Sequence, residues 1–253
     1  MGTEGVSINE TFGDGGTARP TGRDPGSRTG LGDQVPFLAR LEAHDRAALL
    51  ALGRRLRFAP GDALLRQHEP STHVLFVLRG WTKVSSEAAN GYEALLALRG
   101  PGDIVGEVAA LSGRPRSATV RAMGEVQAVA VDQERFTAFL ASTPHVALRL
   151  LSLTTDRMRD SDSRRLEFAA LNVRERLAML LLELARTHGE HTDEGIRLTS
   201  GLSQYELAGS VGASREAVAR LLRELRQRGI VRTGRRGLVL VKPEQLRRMR
   251  RAD

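Results

Sequence analysis

Four residues in the middle of the chain have groups suited to binding a sugar phosphate. Gly106 opens a short helical turn, which leaves backbone N–H groups free to face an anion. Arg116 adds a planar guanidinium that fits a phosphate, and Ser117 adds a hydroxyl donor. Glu107 would repel an anion unless the ligand also offers hydroxyl groups to its carboxylate, as a ribose phosphate does. The alternative is an ordinary salt bridge between Glu107 and Arg116 at the rim of a β-barrel.

Residues 203–222 have the pattern of two helices joined by a tight turn. Ser203 and Glu206 have the spacing of a capping box for the first helix, and Ser214 is placed to cap the second. Gly212 tolerates the left-handed backbone conformation that such a turn needs. The pattern predicts a DNA-binding helix-turn-helix, with a plain helical hairpin as the alternative.

The predicted second helix presents Arg215, Glu216 and Arg220 on its polar face. Such residues reach base edges in the major groove, where Arg pairs with guanine and Glu accepts from cytosine. Two strands follow over residues 230–241, and the arginines between them would lie along phosphates, adding affinity and salt dependence. The predicted DNA-contacting residues are Ser203, Gln204, Ser214, Arg215, Glu216, Arg220, Arg235 and Arg236.

Positive charge is concentrated in the same part of the chain. Residues 214–251 contain thirteen Arg and Lys and three Glu, a local net charge of +10, whereas the whole chain carries +8. This distribution is typical of proteins that bind a phosphate backbone, and a solvated arginine-rich face is the alternative.

The length and composition predict two domains and a tail. The 253 residues, 41% of them hydrophobic, are enough for two modest cores. Residues 1–33 are rich in glycine and poor in large apolar side chains, so we expect a disordered tail. Residues 34–143 carry brief β-runs between turns, of which Asn90-Gly91 is the clearest hairpin signal, and predict an antiparallel barrel or sandwich. Residues 173–253 form the predicted DNA-binding domain.

A long helix is predicted to connect these domains over residues 144–172. Pro144 suits the first position of a helix, and no Gly or Pro follows until Gly189. Side chains spaced by three and four form a seam that is apolar at first and then polar. We expect this seam to pair with a second copy of the chain; the alternative is packing on its own domain. The seam residues are Leu148, Leu151, Thr155, Met158, Asp162, Arg165 and Ala169.

Composition and motifs exclude several classes of protein. The chain has no cysteine, which rules out disulfides, thiolate metal sites and thiolate-held iron–sulfur clusters. The sequence shows no catalytic nucleophile or acid–base pair, no cluster of metal-ligating histidines and no P-loop, so we expect neither an enzyme nor a bound metal. No stretch approaches about eighteen apolar residues and no signal peptide is visible, so we expect a cytoplasmic protein without membrane contact.

From about Phe58 to Val241 the chain resembles the CRP/FNR family of bacterial transcription regulators. Segments 106–110 and 116–122 are similar to the phosphate-binding cassette of cyclic-nucleotide domains. The resemblance implies an α+β protein with an N-terminal cyclic-nucleotide-binding β-roll of jelly-roll type. A long dimerisation helix and a C-terminal winged helix-turn-helix follow in the family.

The resemblance also implies a ligand and the residues that bind it. The matching Glu in the family takes the ribose 2′-hydroxyl, and the matching Arg and Ser take the cyclic phosphate. Ser161 and Asp162 stand where the cyclic-AMP receptor has two hydroxyl residues that hold the adenine amino group, one from each subunit. Cyclic AMP is the expected effector; cyclic GMP, a cyclic dinucleotide or activity without ligand are the alternatives. The implied ligand-binding residues are Gly106, Glu107, Val108, Ala109, Arg116, Ser117, Ser161 and Asp162.

The family further implies the partners of the protein. A homodimer would bind palindromic DNA with TGTGA-like half-sites, and the loop over residues 187–195 matches the place where relatives contact RNA polymerase. The sign of regulation stays open. A haem-sensing variant would need axial ligands such as His73 or His145, and this is a further alternative.

Overall fold

The computed structural model describes residues 31–32, 35–234 and 237–249. These residues form an α+β protein with a β-domain, one long helix and a helical domain that carries a small sheet. The fold class predicted from the sequence is confirmed. Arg235 and Arg236, which lie in the sequence between the two strands predicted over residues 230–241, are outside the described residues. Most of the predicted tail is also outside them.

The β-domain consists of two antiparallel four-stranded sheets that share a core. One sheet has the order β1-β8-β3-β6 and the other the order β2-β7-β4-β5. In β3, Leu75 and Val77 pack in the core between the sheets, whereas Val74 and Phe76 pack against helices on the other side. The strands are β1 Arg54–Phe58, β2 Ala63–Leu65, β3 His73–Arg79, β4 Thr82–Glu87, β5 Glu93–Arg99, β6 Ile104–Val105, β7 Thr119–Ala122 and β8 Val126–Asp132.

Short helices form a second core of the β-domain around Phe76. The ring of Phe76 lies 6.2 Å from that of Phe37 and 6.1 Å from that of Phe136, measured between ring centroids. These three rings are fully buried and therefore fix the helices on the sheet. The elements are a 3₁₀ helix Phe37–Arg40, α1 Ala43–Ala51, α2 Glu107–Ser112 and α3 Gln133–Ser142.

The long helix α4 spans Pro144–Ala170 and begins with proline, which suits a position whose N–H has no helical partner. One face buries Val146, Leu150 and Leu153 against the β-domain. The other face leaves Leu148 and Leu151 exposed, together with further apolar residues towards the C-terminal end. No single helix in the described ranges is long and apolar enough to cross a membrane. Helices α3 and α4 meet that condition only as a pair, and the chain bends by 113° between them.

The C-terminal domain has its own core, which helices α5 to α8 and a four-stranded sheet of order β11-β12-β10-β9 enclose. Asn172 and Glu175 form a capping box that starts α5, with bonds of 3.1 and 2.8 Å. Leu95 and Leu98 of β5 join this core, so the two domains pack directly on each other. The elements are α5 Val173–His188, β9 Gly189–Thr192, β10 Gly195–Leu198, α6 Gln204–Val211, α7 Arg215–Gln227, β11 Val231–Gly234, β12 Gly237–Leu240 and α8 Pro243–Met249.

The structure departs from the sequence-based expectations at the predicted tail and at the predicted loop. Leu31, assigned to the disordered tail, is buried among the residues of the C-terminal core. Its carbonyl accepts from the N–H of Leu98 at 2.7 Å, and its own N–H donates to Glu183. Burial of this apolar side chain and these two hydrogen bonds attach the end of the predicted tail to the core. Much of the predicted loop 187–195 is a β-hairpin formed by β9 and β10.

Candidate functional site

A cavity of about 400 Å³ opens between the second β-sheet, helix α2 and helix α4. This volume is within the range of small-molecule sites in proteins. Seven of the eight residues proposed from the sequence line it, namely Gly106, Glu107, Val108, Ala109, Arg116, Ser117 and Ser161. Asp162 is not among its lining residues: the Asp162 carboxylate is exposed and accepts from Arg165 at 3.1 Å.

Arg116 is buried beside the cavity and is fixed by backbone carbonyls. Its Nη1 donates to the carbonyl of Gly106 at 2.8 Å, and its Nη2 donates to the carbonyl of His73 at 2.5 Å. Gly106 has φ +86°, and a Cβ there would lie 2.5 Å from Nη1 of Arg116. Only glycine therefore permits this approach of backbone and guanidinium.

The burial of the Arg116 guanidinium favours the binding of an anion beside it. Burial lowers the pKa of the guanidinium, and the nearby Glu107 carboxylate acts against that shift. Burial also lowers the pKa of His73, as does the charge of Arg116, so the neutral imidazole is favoured there. A phosphate at this place would supply the countercharge that a buried cation needs.

Glu107 pairs with a residue that the sequence reasoning missed. Its Oε1 accepts from Nη1 of Arg157 at 2.6 Å, and Nη2 of Arg157 also donates to the carbonyl of Ile104 at 3.1 Å. The rim salt bridge between Glu107 and Arg116, the alternative raised from the sequence, is therefore not the arrangement found. Arg157 lies four residues before Ser161 on α4, and this helical spacing was the available signal.

Helix α6 of the C-terminal domain closes one side of the cavity. Gly209 and Ser210 line it together with Phe168 of α4. A Cβ on Gly209 would lie 2.5 Å from the carbonyl oxygen of Glu93, so glycine permits the close contact of α6 with β5. The hydroxyl of Tyr92 donates to the carbonyl of Gly209 at 3.4 Å. The sequence gives no signal for these contacts because they join residues more than 110 positions apart.

An ion pair reinforces the contact between α6 and the β-domain. Nζ of Lys83 on β4 donates to the carboxylate of Glu206 on α6. Burial alone would raise the pKa of Glu206, but hydrogen bonds from Lys83 and Ser203 lower it overall, so the carboxylate is ionised. The same carboxylate accepts from the N–H of Ser203 at 2.7 Å and thereby completes the capping box of α6.

The predicted reading surface lies on α6 and α7. Ser214 caps α7 by accepting from the N–H of Ala217 at 3.2 Å, and Gly212 before it has φ +60°. Val218 and Leu222 point into the domain core. The exposed predicted contact residues are Ser203, Gln204, Ser214, Arg215, Glu216 and Arg220. The pairing of β11 with β12 extends as far as Gly234 and Gly237. Arg235 and Arg236 follow Gly234 in the sequence and are outside the described residues.

Two family models match the two halves of this arrangement. Residues 55–143 match the cyclic nucleotide-binding domain, and residues 175–249 match the Crp-like helix-turn-helix domain. A CRP-like cAMP-activated global transcriptional regulator of Mycobacterium tuberculosis is 30% identical over 208 residues, which cover 81% of this chain and 93% of the relative. This chain belongs to the CRP/FNR family of transcription regulators.

A second relative supports the same assignment, and a solved structure shares the fold. The cyclic AMP receptor protein of Thermus thermophilus is 32% identical over 190 residues, which cover 74% of this chain and 83% of that protein. The solved structure of a c-di-GMP-responsive global regulator of Xanthomonas campestris has the same fold, with a TM-score of 0.72 at 23% identity. It covers 79% of this chain and 99% of the other. The chain is thus a CRP-family DNA-binding regulator with a cyclic nucleotide-binding domain.

Proposed function

We propose that this CRP/FNR regulator is a homodimer whose DNA binding is controlled by a cyclic nucleotide, with cyclic AMP as the first candidate. The observation that carries the proposal is the cavity, because Arg116 and Ser117 lie on one side of it and Ser161 on another. Glycine at position 106 is also required by the approach of Arg116. The relatives named above are transcription regulators, which supports a binding role without catalysis.

The cavity residues match the groups of a cyclic nucleotide. Arg116 and Ser117 supply donors for the cyclic phosphate, and Glu107 supplies an acceptor for the ribose hydroxyl. Arg157 holds the Glu107 carboxylate in place and neutralises its charge, so that an anionic ligand is not repelled. Ser161 would meet the base from the same chain. Asp162, which is exposed and does not line the cavity of its own chain, would contact the ligand of the partner subunit.

The contact of α6 with the cavity supplies a route from ligand to DNA. Gly209 and Ser210 form part of the wall, and α6 belongs to the helix-turn-helix. A ligand that fits better with α6 in one position shifts the population of the protein towards that position. The recognition helices of two subunits would then be placed on half-sites near 34 Å apart, as a two-fold dimer requires. We expect TGTGA-like palindromes and a contact with RNA polymerase near β9 and β10.

Isothermal titration with cyclic AMP, cyclic GMP and cyclic di-GMP, with and without duplex DNA carrying two TGTGA-like half-sites, tests this proposal. We expect one nucleotide per chain, with cyclic AMP binding most tightly and increasing the affinity for DNA. Tighter binding of another nucleotide would replace cyclic AMP as the effector. Failure of all three nucleotides to bind, with DNA binding intact, would contradict control by any of them and support activity without ligand.

The DNA-reading role of Arg220 predicts a position-specific loss. The Arg220→Ala variant is expected to bind the operator about 1–3 kcal/mol more weakly and to lose discrimination at one base pair. Fluorescence anisotropy with operators changed at single positions, at constant salt, measures both effects. Arg228→Ala is a matched control, because Arg228 is exposed beyond the other end of α7. An equal loss on every sequence would instead identify Arg220 as a phosphate contact.

A further inference from the structure

Three potential metal ligands meet on the side of the β-domain where α1 and α4 begin. Nε2 of His145 lies 2.8 Å from Oδ2 of Asp45, and Nε2 of His44 lies 3.2 Å from Oδ1 of the same carboxylate. The ligand atoms of all three residues lie within 4.8 Å of one another. None of these residues lines the nucleotide cavity or belongs to the DNA-reading surface.

The carboxylate and the imidazoles differ sharply in exposure. The side chain of Asp45 is 4% exposed, whereas those of His44 and His145 are 78% and 60% exposed. A buried carboxylate is costly unless a positive charge or hydrogen bonds compensate it. Here its two oxygens face one imidazole each, from two different helices. The arrangement is an anchored oxygen ligand with two nitrogen ligands that can reorient from the surface.

We propose that His44, Asp45 and His145 bind a divalent transition-metal ion of the Zn²⁺ class. Two imidazole nitrogens and one carboxylate oxygen form a common ligand set for Zn²⁺, with a fourth position left for water. Ligand atoms about 2.0–2.2 Å from a tetrahedral ion lie about 3.3–3.6 Å apart. The contacts of 2.8 and 3.2 Å that the imidazoles make with the two oxygens of Asp45 are slightly shorter, so the imidazoles would move outwards as the ion enters. The ring nitrogens of His44 and His145 lie within 4.8 Å of each other, and rotation of these exposed side chains would shorten that distance.

The surroundings of the site influence what it binds. Asp45 and His145 both lie in the first turns of their helices, where the helix dipole opposes a cation. The attraction must therefore come from the buried carboxylate and from bonds to nitrogen, which favours Zn²⁺, Co²⁺ or Ni²⁺ over Mg²⁺ or Ca²⁺. A bound ion would join α1 to the first turn of α4 and so fix the base of the long helix. The sequence alone did not indicate this site because its ligands come from two segments 100 positions apart.

Titration of the full chain, without an affinity tag and after removal of metals by chelator, tests the proposal. Co²⁺ is the probe, because its visible absorption reports nitrogen and oxygen ligation. We expect the absorption to saturate at one Co²⁺ per chain, Zn²⁺ to displace it, and Zn²⁺ to raise the melting temperature. Saturation at no defined stoichiometry, or no displacement by Zn²⁺, would overturn the proposal.

Two variants and a control locate the ion. His44→Ala and His145→Ala are each expected to weaken Co²⁺ binding at least about tenfold, since even loss of residues that only support metal ligands costs that much. Both side chains are exposed, so the variants should retain the circular dichroism spectrum of the parent. His191→Ala, at an exposed histidine on β9, should bind Co²⁺ like the parent. Unchanged binding in both variants would place the ion elsewhere and refute the site.

Discussion

Arg116→Ala is expected to weaken cyclic nucleotide binding by roughly 100-fold, because it removes two hydrogen bonds from a cation to the phosphate. Hydrogen bonds to charged groups contribute about 1.5–3 kcal/mol each, so the lower end for two bonds, about 3 kcal/mol, corresponds to a factor slightly above 100. Calorimetry measures the change. Arg116→Lys keeps the charge but loses the planar pair of donors, so we expect an intermediate affinity.

The exposed Arg114 provides the matched control for this experiment. Arg114→Ala removes the same charge two residues away and is expected to bind nucleotide like the parent. Arg116 also bonds to the carbonyls of Gly106 and His73, so the melting temperature of Arg116→Ala must be measured alongside. Equal nucleotide affinities of Arg116→Ala and the parent, both folded, would refute the assignment of the phosphate site.

Leu151→Glu is expected to dissociate the proposed homodimer. Leu151 is 60% exposed in the single chain and lies with Leu148 and Met158 on the outer face of α4. Two unpaired carboxylates in that interface would cost about 3–5 kcal/mol, which raises the dimer dissociation constant by more than about 100-fold. Light scattering across a concentration series measures the mass. The monomer is expected to lose affinity for palindromic DNA as well.

A charge placed elsewhere on the same helix separates dimer loss from helix destabilisation. Arg149→Glu introduces the same side chain two positions earlier, where it points away from the seam. We expect this variant to remain a dimer. A monomeric parent protein, or a dimer in the Leu151→Glu variant, would show that α4 does not form the interface.

Local patterns were sufficient to predict the elements that depend on neighbouring residues. Asn90-Gly91 forms the turn between β4 and β5, with φ +80° at the glycine. Ser203 and Glu206 form the expected capping box, because a cap depends only on residues three positions apart. Strand β1 was not predicted: three of its five residues are arginine, and it is defined by its pairing with β8. The existence of such a strand depends on its pairing with a distant segment, and its local sequence does not indicate it.

The residues of the candidate site also fall into those that the sequence predicted and those that it did not. Glu107 and Arg116 stand out because the chemistry of each is evident from its type and its neighbours. Arg157, Gly209 and the cluster around Asp45 acquire their roles only when distant segments pack together. Leu31 is a further example. It is an isolated apolar residue in a polar segment, and its burial depends on the C-terminal core, which the local sequence does not reveal.

The place of Gly209 and Ser210 has a consequence for how the two binding events depend on each other. Because these residues belong both to the cavity wall and to the reading domain, an operator that draws α6 away from β5 also opens the cavity. Thermodynamic reciprocity then requires the operator to change the affinity for nucleotide by the same factor as the nucleotide changes the affinity for operator. The affinity for the small molecule would therefore differ between promoter-bound and free protein, and the promoter sequence would help to set the nucleotide concentration at which the regulator responds.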